Sequence, residues 1–63
     1  MDFAKNLKAL LDMKCIKNID LSKELNIDRS NITKYLKGQK MPNYETLEKI
    51  KIYLNCSYDD LLK

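Results

Sequence analysis

Apolar residues recur at helical spacing along the whole chain, beginning at the N-terminus. Those of the first run fall at positions i, i+4, i+7 and i+8: Phe3, Leu7, Leu10 and Leu11. This spacing places them on one face of a helix, which we predict to run from Asp2 to Met13 with Asp2 as its N-terminal cap. Residues 13–17 then form a link that contains neither glycine nor proline.

A second helix is predicted to begin at Asn18 or one residue earlier, with Asn18 as its cap. It buries Leu21 and Leu25, which lie four residues apart. Asn26 suits a sharp turn because, after glycine, asparagine is the residue that best tolerates the left-handed conformation. Ile27 would then fill the corner between this helix and the next.

The third helix is predicted from Arg29 to Lys37, with Asp28 as its cap and Gly38 directly after its end. Its apolar positions are spaced i, i+3 and i+4: Ile32, Tyr35 and Leu36. Its outward positions are polar or basic: Arg29, Ser30, Thr33, Lys34 and Lys37, with Asn31 at the margin. This helix therefore has one apolar face and one hydrogen-bonding, mostly cationic face.

A fourth helix, Tyr44 to Leu54, follows Pro42, which cannot continue the third helix, and Asn43, which is a good cap. Its buried seam consists of Leu47, Ile50 and Leu54. Lys51 falls on the same seam and must extend its ammonium outward if it points there. Asn55 is predicted to end this helix as Asn26 ends the second.

The last predicted helix, Tyr58 to Leu62, follows a capping box formed by Ser57 and Asp60. No segment has the alternating pattern of a strand, so the fold class is all-α. We expect five short helices around one core of Phe3, Leu7, Leu10, Leu21, Leu25, Ile32, Leu47, Ile50, Leu54 and Leu61.

The composition favours one small domain spanning residues 1–63. Hydrophobic residues make up 44% of the chain, which is typical of a globular protein. No apolar run approaches the roughly 18 residues that a membrane span needs, and the acidic residues near the N-terminus argue against a signal peptide. We therefore expect a cytoplasmic protein with no membrane partner. Cys15 and Cys56 fit reduced thiols packed as small hydrophobes, and a disulfide is the alternative.

The net charge of +3 is only mildly basic, but its distribution is uneven. Residues 27–42 carry Arg29, Lys34, Lys37 and Lys40 against Asp28 alone, whereas residues 43–63 have a net charge of −1. The positive charge is thus concentrated on the third helix and the loop after it. Such a face is suited to nucleic acid, although a merely solvated face is the plain alternative.

The residue types on this face fit the edges of DNA bases. Arg29 can make a bidentate contact with guanine, and Asn31 suits adenine. Ser30 can donate or accept a hydrogen bond, and Lys34 lies one turn further along the same face. Lys37 and Lys40 are better placed for phosphates, where they add affinity without sequence information. Asn18 could set the start of the second helix against the DNA backbone.

Catalysis is poorly supported by this sequence. The chain has no histidine, which is the usual general base and metal ligand, and two isolated cysteines do not make a zinc site. With a single glycine it has no glycine-rich phosphate loop. We expect no enzymatic activity, no metal, no cofactor and no small-molecule substrate.

The segment from Leu21 to Leu62 resembles the xenobiotic-response-element/Cro family of helix-turn-helix, lambda-repressor-like DNA-binding domains. The resemblance depends on residues that occur together in register: Leu21, Ser22, Leu25, Asn26, Ile27, Asp28, Ile32, Tyr35, Gly38 and Pro42. It implies a compact five-helix fold in which the third helix is the recognition helix. It also implies base-reading roles for Arg29, Ser30 and Lys34, with Asn31 as a further candidate, and phosphate contacts by Asn18, Lys37 and Lys40.

Four positions depart from the family pattern. Asn26 replaces the usual glycine and Ser22 the usual alanine, and both are physically tolerable. Lys17 stands where serine or threonine commonly caps the second helix, so Asn18 could serve as the cap instead of binding phosphate. Lys51 stands where a small buried residue is usual, which fits a looser fourth helix or a nearby partner surface.

The expected function is sequence-specific binding of an operator in double-stranded DNA, as a transcriptional repressor of bacterial or phage type. We expect a homodimer, because a single module covers only about 600–1,000 Å² of contact with DNA. Its candidate contacts are apolar residues in excess of the core: Ile52, Tyr53, Tyr58 and Leu62. The alternative is a helical protein-interaction module, antitoxin-like or an anti-regulator. A third possibility is the DNA-binding part of a longer regulator.

Overall fold

The computed structural model describes residues 2–63, which form five helices and no strand. In chain order they are α1 (Phe3–Met13), α2 (Asn18–Leu25), α3 (Arg29–Leu36), α4 (Tyr44–Leu54) and α5 (Tyr58–Leu62). The all-α prediction is confirmed, and the predicted bounds of α3 are wrong only by Lys37, which caps the end of the helix. Among these described helices, none is both long enough and apolar enough to cross a membrane.

Side chains cap three of the helices at their N-terminal ends, as predicted. An Asp28 carboxylate oxygen accepts the backbone N–H of Ser30 at 3.1 Å, and the Asn43 amide oxygen accepts that of Thr46 at 2.8 Å. Ser57 and Asp60 form the reciprocal capping box. These bonds satisfy N–H groups that have no partner within the helix.

The first two helices differ from the prediction in their caps, although α2 begins at Asn18 as predicted. Asp2 occupies the cap position of α1 but makes no side-chain cap bond. The predicted cap of α2 is wrong, because Lys17 holds that position and Asn18 is already the first helical residue. A lysine side chain has no acceptor atom, so no side chain caps the first turn of α2.

Four helices are followed by a residue with positive φ, either at the C-cap (Asn26, 54°, and Asn55, 52°) or one residue after it (Cys15, 57°, and Gly38, 74°). In each case the next residue donates its N–H to the carbonyl five positions back, at 2.9–3.2 Å. These bonds satisfy carbonyl groups of the last turn that have no partner within the helix. Asn26, Gly38 and Asn55 were predicted for these roles, whereas Cys15 was not. At Gly38 the requirement is conformational, since an added Cβ would meet only Ala4 Cβ at 3.8 Å.

The core is a single cluster of buried side chains: Phe3, Leu7, Leu11, Leu21, Ile32, Tyr35, Ile50, Leu54 and Leu61. Seven of these were predicted. Leu11 and Tyr35 are buried in addition, whereas the predicted core residues Leu10, Leu25 and Leu47 are half-buried at its edge. The Phe3 and Tyr35 rings meet edge to face, with centroids 6.3 Å apart, so aromatic packing attaches α1 to α3.

Helix α1 makes the contacts that position two of the other helices. It packs against both α3 and α5, and α2 packs against α3. The Asn6 side-chain amide donates to the Leu61 carbonyl at 3.0 Å, which joins α1 to the last helix by a polar contact between half-buried groups. The orientation of α3 is therefore determined by α1 on one side and α2 on the other.

The outer side of α4 and α5 is aromatic. Lys51 is half-buried, and its ammonium nitrogen lies 5.2 Å from the centroid of the Tyr58 ring. The Tyr44 ring packs against Tyr58, with centroids 6.2 Å apart. Lys51 is thus accommodated over an aromatic face.

The predicted dimer contacts are only partly exposed. Ile52 is 66% exposed, but Tyr53 and Leu62 pack against the core, so the idea that these two exceed what the core needs is wrong. A side chain that already packs against its own core has less area to offer a second chain.

The two cysteines differ in environment. Both thiols are free, and Cys56 packs against the core, where burial raises the pKa of its thiol. Cys15 is exposed, which corrects the expectation that both would pack as small hydrophobes. It lies just after the end of α1 and has a positive φ of 57°.

Candidate nucleic-acid interface

The turn between α2 and α3 is held by hydrogen bonds inside a short segment. Asn26 adopts the left-handed conformation, and the N–H of Ile27 donates to the Ser22 carbonyl at 3.1 Å. The Ser22 hydroxyl in turn donates to the Ile27 carbonyl at 2.6 Å. The Ser22 hydroxyl thus supplies a donor inside the turn that the alanine usual at this position would lack. Asp28 then starts α3, so the pair of helices forms a helix-turn-helix.

Helix α3 presents the polar face that the sequence predicts. Ile32 and Tyr35 are buried, and the outward residues are all exposed: Arg29, Ser30, Thr33, Lys34 and Lys37. At about 100° per residue, Arg29 and Lys34 lie roughly 140° apart around the helix axis. They therefore stand on opposite flanks of the exposed face, with Ser30 between them.

Two hydrogen bonds organise the flanks of this face. The Thr33 hydroxyl donates to the Arg29 carbonyl at 3.0 Å, within α3. On the other flank, the Lys40 ammonium donates to the Asn31 amide oxygen at 3.2 Å. Asn31 is half-buried, and its oxygen faces the loop that follows α3. The predicted adenine contact by Asn31 would have to share this oxygen with Lys40 or displace it.

A cavity of about 350 Å³ lies between α1, α2 and α3. It brings together Asn18 and Lys37, two of the three residues predicted to contact phosphate. Its other lining residues are Lys8, Leu11, Asp12, Ile16, Thr33 and Leu36. The third predicted phosphate residue, Lys40, lies away from this cavity, beside Asn31.

Lys8 is an exposed basic residue of α1 that is absent from the predicted site. The structure places it on the cavity that Asn18 and Lys37 also line. Its sequence signal is weak, because a lysine on the polar side of an amphipathic helix is commonplace. Only the packing of α1 against α3 brings Lys8 towards the start of α2.

The start of α2 is suited to an anion. No side chain caps its first turn, and Asn18 stands exposed at its first position. Free N–H groups and the positive end of the helix dipole favour a phosphate at such a place. Asp20 in the same turn opposes this in part by its negative charge.

The cations of this face are not neutralised by the protein itself. Within residues 2–63, the one ion pair joins Lys63 and Asp59 at 3.8 Å, in α5 and at the C-terminus. Arg29, Lys34 and Lys37 therefore keep their charge for an external partner.

The comparisons with known proteins agree with this geometry. A family model described as the Cro/C1-type HTH DNA-binding domain matches residues 6–63, which is nearly the whole chain. No curated protein and no solved structure matches. The match spans all five helices except the first three residues of α1, and it includes the turn and every predicted site residue. The chain belongs to the Cro/C1-type helix-turn-helix DNA-binding domain family.

Proposed function

We propose that this protein binds a specific operator in double-stranded DNA and acts as a transcriptional repressor, with α3 in the major groove. The observation that supports this best is the exposed cationic face of α3, which no carboxylate among the described residues pairs with. Eight residues of helix span about 12 Å. That length fits a groove ~12 Å wide, and it leaves the buried face of α3 in the core.

Base reading is assigned to the first part of α3. Arg29 and Ser30 occupy its first two positions, and Lys34 lies one turn after Ser30. Arg29 and Lys34 stand on opposite flanks of the face, so each would meet a different part of the groove floor. Asn31 remains a candidate, subject to its hydrogen bond with Lys40.

Phosphate binding is assigned to residues around this helix. Asn18 and the uncapped start of α2 would meet one phosphate, with Lys37 across the shared cavity. We add Lys8, which lines the same cavity. Lys40 would meet the backbone on the other flank of α3, because its ammonium reaches Asn31. Such contacts set the register of the helix but do not select a sequence.

A homodimer is part of the proposal. Two copies would place two recognition helices on half-sites about 34 Å apart. The surface of α4 and α5 offers Ile52 and Tyr44, which are 66% and 69% exposed, beside Tyr58. Sedimentation with and without the selected duplex tests this, and a strict monomer in both conditions would contradict it.

Selection of bound duplexes from a random pool tests the function as a whole. Wild type should enrich one motif, and the pools selected by Arg29→Ala and by Lys34→Ala should lose preference at different base pairs of it. Lys49→Ala is the matched control, because it removes a charge from α4 outside the proposed site. A pool that stays random with wild type would contradict sequence-specific binding and would favour the protein-interaction alternative.

A further inference from the structure

The loop between α3 and α4 contains a lysine that contacts the recognition helix. Lys40 lies nine positions after Asn31, and its ammonium donates to the Asn31 amide oxygen at 3.2 Å. Asn31 is on the third position of α3, at the margin between its buried and exposed sides. This bond between two side chains connects the loop to the exposed face of α3.

The backbone on either side of Lys40 is fixed. Gly38 has a φ of +74°, and the N–H of Gln39 donates to the Lys34 carbonyl at 2.9 Å. Two residues after Lys40, Pro42 is buried, and Asn43 caps α4. The loop is thus anchored on either side of Lys40, and the bond to Asn31 directs the far end of the Lys40 side chain.

The chemistry of the acceptor matters. An amide oxygen is neutral, so it orients the ammonium without cancelling its charge. An ammonium has three N–H donors, and the bond to Asn31 uses one of them. Two donors remain for the oxygens of an anion. A bidentate contact of asparagine with adenine uses the same amide oxygen as an acceptor. That oxygen has two lone pairs, and the bond to Lys40 occupies one of them and orients the amide towards the loop after α3. Base reading by Asn31 would therefore have to share this oxygen with Lys40 or release Lys40.

We propose that Asn31 is a positioning residue that holds Lys40 beside α3 for contact with a DNA phosphate, rather than a residue that reads a base. This inference rests on the proposed function and assigns a different role to one residue of the same site. The bond restricts a long, flexible side chain before DNA arrives, which lowers the entropic cost of the phosphate contact.

The test is a double-mutant cycle on DNA affinity with Asn31→Ala, Lys40→Ala and both together. Asn31→Ala alone should weaken binding to all duplexes alike, by roughly three- to tenfold, without changing the selected motif. In the Lys40→Ala background, Asn31→Ala should have almost no further effect, because nothing is left to position. Asn31→Leu, which keeps similar bulk but has no acceptor, should behave as Asn31→Ala.

Two results would overturn the inference. If Asn31→Ala alters the preferred base at one position, and still does so in the Lys40→Ala background, Asn31 reads a base. If the effects of the two single variants simply add on a logarithmic scale, the residues do not act together. Thermal unfolding of each variant separates a change in binding from a change in folding. Lys49→Ala serves again as the control for charge.

The contact can also be measured without DNA, which separates failure of this inference from failure of the proposed function. In the free protein, Lys40→Ala should shift the NMR signals of the Asn31 side-chain amide, whereas Lys49→Ala should not. Unshifted signals would overturn the positioning role even if wild type binds its operator. If wild type binds no duplex, the proposed function itself has failed and the phosphate role fails with it.

Discussion

Residues 27–42 and residues 43–63 are both mainly helical, but they use their charged residues differently. In the second segment, Lys63 pairs with Asp59, and the Lys51 ammonium lies over the Tyr58 ring. In the first segment, the cations have no carboxylate partner among the described residues, and Lys40 is bound only by a neutral amide. The segments also differ in net charge, +3 against −1.

The difference is between cations that contact other groups of the protein and cations that remain available to an external anion. A cation paired within the protein has part of its charge cancelled, so it attracts an external anion less. A cation left unpaired on a rigid helix adds little to stability, but it is ready for phosphate or for a base edge. The proposed DNA-binding side of the domain, residues 27–42, is therefore one whose cations are left without a carboxylate partner among the described residues.

The largest effect should come from the core under the cationic face. Ile32 has an exposed fraction of 0%, so Ile32→Ala should lower the free energy of unfolding by about 2–5 kcal/mol and abolish DNA binding with it. Urea denaturation measures the first effect. Thr33→Ala, next to it and exposed, is the control for α3, and equal destabilisation by both variants would contradict the assigned faces.

The next effect separates binding from folding. Arg29→Ala should lose about 1–3 kcal/mol of discrimination at one base pair while the urea midpoint stays near that of wild type. Competition between the selected duplex and single-base variants of it measures the discrimination. Retention of full discrimination would show that Arg29 does not read a base.

A change in the second segment should lower stability and leave DNA recognition intact, which is the reverse of the effect of Arg29→Ala. Ser57→Ala removes one half of the capping box of α5 and should lower the free energy of unfolding by about 1 kcal/mol. The sequence preference of the folded protein should not change, since Ser57 lies outside the residues assigned to base reading. A loss of sequence preference in this variant would contradict the assignment of DNA recognition to residues 27–42 alone.

The smallest effect is expected in the salt dependence of DNA binding, when two exposed lysines are removed in turn. Lys37→Ala should lower the salt dependence of DNA binding by about one phosphate contact. Lys63→Ala removes the same charge from the C-terminal end, beside Asp59, and should leave the salt slope unchanged. Equal slopes for the two variants would mean that the charge of the whole protein, not its placement, attracts the DNA.

Local chemistry made much of the fold predictable. Asp28, Asn43 and Ser57 were identified as caps because their side chains can accept an N–H bond from the first turn of a helix. Asn26 and Gly38 were identified as helix ends because they tolerate positive φ. Cys15 was missed in that role, since cysteine has no such preference and the Schellman-type bond of Ile16 to Leu11 holds it there.

The site was less predictable because it depends on contacts between distant residues. The exposure of Arg29 and Lys34 follows from the period of α3 alone. The approach of Lys8 to Asn18 requires the packing of α1, and the bond from Lys40 to Asn31 requires the path of the following loop. The exchange of Leu10 for Leu11 in the core has a similar origin, because two adjacent apolar positions fit the same helical stripe and only tertiary packing selects one.

We propose above all that the unpaired cationic face of α3 distinguishes one DNA sequence from another. The most direct measurement is the ratio of affinities for the selected duplex and a scrambled duplex at one fixed salt concentration, for wild type and for the Arg29→Ala, Lys34→Ala double variant. We expect a ratio of at least about 10³ for wild type and a loss of most of this ratio in the double variant. A ratio that is the same in both proteins would contradict the account.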